Sequence, residues 1–350
     1  MIDIKSYDLS ELKALIVNIH QPEYKALQIF KWLQRGVSSF DEMTDISKNL
    51  REELKKIALI RSAKIKQRFT SSYDDTTKYL FELFDGECVE SVLMKYEHGY
   101  SICISTQVGC NMGCKFCASG LFGKTRDLTA SEMLSQITSA QNDRGIRISN
   151  VVMMGMGEPL DNFQSSARFL KLVSDENGLN IGLRHISLST CGIVPGIRKL
   201  AELDMPITLS VSLHAPFDDI RSSLMPVNKK WSVNELLAAC REYQAVTTRR
   251  ISFEYALISG VNDTIDCAGQ LAEITKGIMC HINLIPANPV AENSFSKPDS
   301  ITINKFKDIL VSLGLTVTVR RTLGADIDAS CGQLRKRYRE VSSSEAIHKG

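Results

Sequence analysis

Cys110-Asn111-Met112-Gly113-Cys114-Lys115-Phe116-Cys117 is the stretch on which the reading of this chain turns. It is a CxxxCxxC loop that follows directly on an expected strand at 100–105. Three thiolates spaced this closely wrap one face of a metal ion or an iron–sulfur cluster. Structural zinc takes four closed ligands, and cubane clusters usually take four cysteines. Three cysteines leave one coordination position open to an outside ligand, the arrangement that marks catalytic zinc sites. Structural zinc with a distant fourth ligand is the second reading, and burial of small apolar thiols is the third. The spacing argues against the third. There are 10 cysteines among 350 residues, and the chain starts Met1-Ile2-Asp3-Ile4-Lys5, without a basic start and apolar core. That start predicts no secretory signal and a cytoplasmic protein, where cysteines serve more often as ligands or catalysts than as disulfides.

Downstream of the loop, β-rich runs alternate with helical ones. Strands are expected at 150–154, 185–189, 207–213, 251–257, 281–285 and 316–320, and helices at 129–143, 233–243 and 263–275. Such alternation predicts βαβ units and a parallel sheet in an α/β fold. A whole or partial barrel and a doubly wound sheet both satisfy it. Upstream, strands are expected at 78–84 and 88–96, after a linker at 70–75. The first 70 or so residues read as short helices. Asp8 or Ser10 caps the first, Pro22 opens the second with Gly36 as its stop, and a third spans 46–60. The chain is near neutral, with 42 basic and 40 acidic residues, but 48–68 concentrates Lys48, Arg51, Lys55, Lys56, Arg61, Lys64, Lys66 and Arg68 against Glu52 and Glu53. That segment reads either as a phosphate-binding face or as a solvated helix side. Hydrophobic residues make up 43% of the chain, with no apolar run long enough to span a membrane.

In barrels of alternating strands and helices, chemistry gathers at the C-terminal strand ends. Here those ends carry Gly155-Met156-Gly157-Glu158-Pro159, Ser187-Leu188-Ser189-Thr190, Ser210-Val211-Ser212-Leu213-His214 and Ile282 to Pro289. Glycines admit close backbone approach, and Glu158 can accept a hydrogen bond from an ammonium group. Taken singly, a glycine pair is a tight turn, a strand-end serine is a helix cap and His214 is a packed histidine. Their shared register at successive strand ends is what points to a site.

CxxxCxxC with Phe116 before the last cysteine resembles the cluster loop of radical SAM enzymes. GMGEPL at 155–160, SLHAP at 212–216, INLIPANP at 282–289 and DIDASCGQL at 326–334 resemble the RlmN family of adenosine methyltransferases. The resemblance covers nearly the whole chain. It implies a partial (βα)6 radical SAM barrel with a small N-terminal helical domain and a short β-extension. The implied division is 1–72, an RNA-binding accessory domain, and 73–350, the methyltransferase domain. It implies a 4Fe–4S cluster held by Cys110, Cys114 and Cys117, with the open iron for S-adenosylmethionine. Gly157, Glu158, Ser189, Ser212, Leu213, His214 and Asn288 would contact that cofactor. The implied partners are 23S rRNA, tRNA and an electron donor such as flavodoxin or ferredoxin, acting on a monomer. The implied product is an adenine methylated at carbon 2.

Cys331, in the polar stretch 326–334, is the better reactive candidate, whereas Cys103, in an expected strand, reads on its own as core, like the cysteines at 88, 191, 240, 267 and 280. The resemblance gives Cys331 and Cys103 a two-stage chemistry. The Cys331 thiolate takes a methyl group from one S-adenosylmethionine. A deoxyadenosyl radical from a second removes a hydrogen from it, and the methylene adds to the adenine. Cys103 then resolves the protein–RNA bridge, leaving a Cys103–Cys331 disulfide for reductant to reopen. Glu90 matches the position of the proton-removing base, against a plain strand carboxylate. The target base must leave its stack. Phosphates could lie on 48–68, on Arg320-Arg321, or on the tail Arg335-Lys336-Arg337 with Arg339. The nearest alternative is a Cfr-like enzyme acting at carbon 8 and conferring antibiotic resistance, from which the GMGEPL and LIPANP forms lean away. The more distant one is a zinc-stabilised RNA-binding module.

Overall fold

The computed structural model describes residues 1–288 and 294–334. The basic tail from Arg335 and the end of the INLIPANP motif at Pro289 lie outside the described residues.

The N-terminal portion is helical, as its capping signals predict. Strand β1 (Ile2–Asp3) leads to α1 (Leu9–Asn18), and Asp8 forms a reciprocal capping box with Glu11. Helix α2 (Tyr24–Arg35) ends at Gly36 in the left-handed conformation, and α3 (Lys48–Ile57) is capped by Ser47. Strand β2 (Ala58–Leu59) then pairs in parallel with β1. The helical reading of 46–60 is thus too long by a few residues at each end.

Strand β3 (Lys64–Thr70) was not expected. It pairs antiparallel with β4 (Thr77–Glu82), so the segment at 70–75 read as a linker is a hairpin turn. Its mostly exposed, charge-rich face hides the strand pattern, because an edge strand needs little apolar surface. Strands β5 (Cys88–Tyr96) and β6 (Gly99–Cys103) continue the antiparallel extension. The cluster loop is framed by the short pair β7 (Gln107–Gly109) and β8 (Lys124–Asp127).

From there the chain alternates without interruption. It runs α4 (Ala130–Arg144), β9 (Ile148–Met153), α5 (Phe163–Val173), β10 (Ile186–Thr190), α6 (Val194–Glu202) and β11 (Thr208–Ser212). Helices α7 (Asp218–Leu224) and α8 (Val233–Thr247) follow, then β12 (Ile251–Leu257), α9 (Ile265–Thr275), β13 (Cys280–Pro286), α10 (Ser300–Ser312) and β14 (Val317–Val319). All belong to one 10-stranded sheet ordered β14-β13-β12-β11-β10-β9-β6-β5-β4-β3, parallel from β6 through β14. Strand order never reverses direction, and a doubly wound sheet requires a reversal at its switch point. The doubly wound alternative is thereby removed. β14 and β3 are the two ends of the sheet and do not pair with each other, so the barrel is partial.

The polar residues of the parallel strands gather on one groove of the curled sheet. Ser187, Ser210, Ser252, Asn283 and Thr318 sit on five successive strands and line one groove. On a flat sheet, strands ~4.8 Å apart would spread them over about 19 Å. Leu188, Leu209, Phe253 and Ile282 are fully buried in the hydrophobic core. No helix among the described residues is long and apolar enough to cross a membrane.

Candidate active site

A cavity of about 170 Å³ collects most of the residues singled out in the sequence. Cys110, Cys114 and Cys117 line it together with Gly157, Glu158, Ser189, Ser212, His214, Asn288 and Cys331. Cys103, Leu213 and Glu90 do not.

The cluster loop is held by main-chain bonds, because its length admits no regular element. Cys117 N donates to Cys114 O at 3.1 Å and Lys115 N to Leu224 O at 2.9 Å. Burial raises all three thiol pKa values, Cys110 to about 12. Burial outweighs the opposing Arg221 charge at Cys114, so this donor set suits a positively charged inorganic group that makes ionisation favourable. Among the described residues, no three His, Cys, Asp or Glu side chains close tightly enough to hold a single metal ion. Cys110, Cys114 and Cys117 line one cavity, a donor set of the kind that could hold an iron–sulfur cluster.

Glycines shape the opposite wall. Gly157 has φ +100°, and a Cβ there would lie 2.5 Å from Gln107 Cβ. Gly155 faces the Ile104 carbonyl oxygen, 2.6 Å from where its Cβ would be. Gln107 in turn accepts from Glu158 N at 2.8 Å and donates to Asp127 and Asp161. The Glu158 carboxylate accepts from Cys191 N at 2.7 Å and Leu160 N at 3.0 Å. Burial raises its pKa, opposed by those two amides.

His214 has φ +58° and is buried. Its Nδ1 accepts from Ala256 N at 2.8 Å, so a neutral ring carries its proton on Nε2. Burial, reinforced by Arg221, lowers its pKa to about 3. The Phe116 ring meets it edge-on at 4.7 Å, joining cluster loop to strand end. Leu213 is fully buried, and its backbone serves the site through Arg221.

Cys331 reaches the cavity from a strap that crosses from β14 to the β3–β4 hairpin. Asp326 accepts from Ser71 Oγ, Ser72 N and Ser72 Oγ at 2.7–2.9 Å. Gly324 N donates to Asp74 at 3.0 Å, and Lys78 Nζ to Asp328 O at 3.2 Å. The strap then docks on the cluster loop, Ala118 N donating to Gly332 O at 2.6 Å, and on Asn288, whose Nδ2 donates to Cys331 O at 3.3 Å. All 10 cysteines are free thiols. Cys103 is buried at the end of β6, its pKa raised to about 12 by burial and then by the neighbouring Cys331 side chain. Glu90 is buried 3.7 Å from Lys78 Nζ, beneath the strap and away from the cavity wall.

Two residues escaped sequence reasoning, and a third was read with another role. Arg221, on α7, is fully buried, with bonds to the carbonyls of Leu213, Ser212 and Cys191 and to Asn228 Oδ1, all within 3.0 Å. It laces the ends of β10 and β11 together. Glu254, in the apolar strand β12, lines the cavity and accepts from Ser252 Oγ and Asn283 Nδ2. Arg320, read from sequence as a phosphate ligand, lines the same cavity. Its pKa is raised first by the neighbouring Cys331 side chain and further by Glu254 and Cys103, against burial. An arginine one step beyond the last strand, and a carboxylate inside an apolar strand, were the available signals. Arg221 left none, because its helix reads as ordinary.

Part of the basic segment is held in ion pairs. Lys55 pairs with Asp41 and Glu52, Lys66 with Glu82, and Arg68 with Asp143. The Arg61 guanidinium lies 4.1 Å from the Phe84 ring centre.

The chain matches the Radical SAM superfamily model over residues 104–266 and the ribosomal RNA large subunit methyltransferase N-terminal domain over residues 2–60. It is 51% identical to the "Probable dual-specificity RNA methyltransferase RlmN" of Alkaliphilus oremlandii, covering 96% of this chain and 98% of that one. The relative of the same name in Clostridium novyi is 50% identical, covering 97% and 99%. A solved radical SAM methyltransferase from Sphaerobacter thermophilus superposes with a TM-score of 0.91 at 42% identity, over 96% of this chain and 99% of that one. With its three-cysteine loop, partial barrel and Cys331 brought to one cavity, this chain belongs to the RlmN family of radical SAM RNA methyltransferases.

Proposed function

We propose that this enzyme methylates carbon 2 of an adenine in 23S rRNA and of the adenine 3′ of the tRNA anticodon. The observation that carries the reading is the docking of the Cys331 strap on the three-thiol loop, through the Ala118–Gly332 bond at 2.6 Å. Cys110, Cys114 and Cys117 would hold a 4Fe–4S cluster. When bound, that cluster supplies the electron that cleaves S-adenosylmethionine. Glu158, Ser189, Ser212, His214 and Asn288 line the same cavity and would orient the cofactor, with Gly157 admitting it closely and Leu213 shaping the loop.

Cys331 takes the methyl group as a thiolate and carries that carbon to the base, since a thiolate is nucleophilic where the adenine carbon is electrophilic. Arg320 steadies the thiolate charge. Cys103 resolves the protein–RNA bridge and forms a transient disulfide with Cys331. Glu90 serves as the proton-removing base, reaching the adduct from under the strap. Residues 1–72 form the accessory RNA-binding unit and 73–350 the methyltransferase, with β3 joining the two through the shared sheet. The enzyme works as a monomer in the cytoplasm with a flavodoxin- or ferredoxin-like donor. The relatives' names support the carbon-2 reading over carbon 8.

Anaerobically purified protein should be brown, with about four irons that a Cys110/Cys114/Cys117 triple alanine variant lacks. Nucleoside mass spectrometry of treated RNA should return 2-methyladenosine. A product of 8-methyladenosine would reassign the enzyme to the Cfr type. A colourless protein holding one zinc after anaerobic reconstitution would end the radical reading.

A further inference from the structure

A groove of about 1220 Å³ runs along the concave face of the sheet below the Cys331 strap. It is continuous with the cluster cavity, since Met154, Glu254 and Arg320 line both. It exceeds the ~300–1,000 Å³ of ordinary small-molecule sites, as a polymeric substrate requires.

Its rim carries two features that the protein itself does not use. The first is aromatic. Tyr96 and His98 stack at 5.3 Å with their planes 11° apart, and Tyr96 is 39% exposed. Tyr96 also shares a small pocket with Cys331. The second is cationic. Arg250 and Arg321 are exposed and have no hydrogen bond or ion pair among the described residues. Arg249 Nε is buried without a hydrogen-bond partner among the described residues. Nearby acids are mostly committed. Asp75 pairs with Lys95 at 2.9 Å, Asp74 accepts from Thr76 N and Gly324 N, and Glu254 holds Ser252 and Asn283. Glu97 is the remaining acid of the groove wall. In the N-terminal basic segment Lys55, Lys66 and Arg68 are already paired, which leaves Lys48, Lys56 and Lys64 as its competing cations.

We propose that this groove is the RNA subsite. The target adenine passes along it to Cys331, a flanking base stacks on the Tyr96–His98 pair, and Arg249, Arg250 and Arg321 hold flanking phosphates. Stacking on aromatics together with arginine–phosphate contacts is how single-stranded RNA is gripped. The assignment rests on the RNA methyltransferase reading above and names where on the enzyme its substrate lies.

The test measures binding of a fluorescent RNA hairpin, carrying the anticodon loop, to the full holoenzyme across a salt series. Arg250→Gln/Arg321→Gln should weaken binding at least ~10-fold at low salt and flatten the salt slope by roughly 1.4, at about 0.7 per phosphate contact on single strands. Tyr96→Ala/His98→Ala should weaken it ~5- to 100-fold with the slope unchanged. Equal melting temperatures establish that the variants are folded. Should the arginine pair melt early, Arg321→Gln alone carries the test, with half the change in slope. Wild-type affinity and slope in both variants, or loss confined to a Lys48→Gln/Lys56→Gln/Lys64→Gln control, would overturn the groove assignment. Product analysis on the wild type is a separate readout. Methylation with unaltered groove variants removes only this inference, whereas a wild type that neither binds nor methylates the RNA removes both.

Discussion

Replacing Lys5 with Met should stabilise the protein at neutral pH. Lys5 is 1% exposed, and its ammonium donates to Ser135 Oγ at 2.8 Å and Thr138 Oγ1 at 3.4 Å. Burial lowers its pKa from 10.5 to about 8, only partly offset by Asp3. A difference of about 2.5 in pKa, at ~1.4 kcal/mol each, is about 3 kcal/mol of disfavoured charge in the folded state. Losing the hydrogen bonds costs about 1 kcal/mol, since Ser135 Oγ keeps its own bond to Ser131 O. The net gain is therefore about 2 kcal/mol at pH 7. The sign reverses with pH. Between about 8 and 10.5 the unfolded chain binds the proton that the folded protein releases, so wild-type stability rises with pH. The Met variant lacks that rise, and its advantage should vanish by about pH 10. Urea unfolding followed at Trp32, with Trp231→Phe in both proteins, reads the helices that Lys5 anchors to α4. A Met variant less stable at pH 7, or a difference that does not change with pH, would refute the reasoning.

Arg221→Met should cost about 3–5 kcal/mol, because it strands three buried carbonyls and Asn228 Oδ1. S-adenosylmethionine affinity should fall with it, and a wild-type melting temperature would contradict the lacing role. Gly157→Ala forces a Cβ against Gln107 at a left-handed backbone position, so a loss of at least ~3 kcal/mol is expected in thermal unfolding. Asp326→Ala releases three bonds that pin the Cys331 strap, so alkylation of Cys331 by iodoacetamide should quicken several-fold. An unchanged rate would mean that the docking on Ala118 and Asn288 suffices.

Much of this protein is written in local sequence. The three-cysteine loop, the glycines at 155 and 157, the strand-end polar residues and the capping boxes each act through neighbours in the chain, so spacing alone reveals them. The alternation of strands and helices likewise announces a parallel sheet. Tertiary structure decided what depends on distant partners. It chose a partial barrel over a doubly wound sheet, because strand order is set by which edges pair. It turned a charged segment into edge strand β3, since an exposed edge needs no apolar pattern. It neutralised Lys55, Lys66 and Arg68 with acids that include Asp41, Glu82 and Asp143, while among the described residues Arg250 and Arg321 have no partner. It also buried Arg221 among carbonyls and set Arg320 beside two thiols, placements that no local pattern encodes. Charge is legible in a sequence, but its availability is not, because pairing is a property of three-dimensional distance.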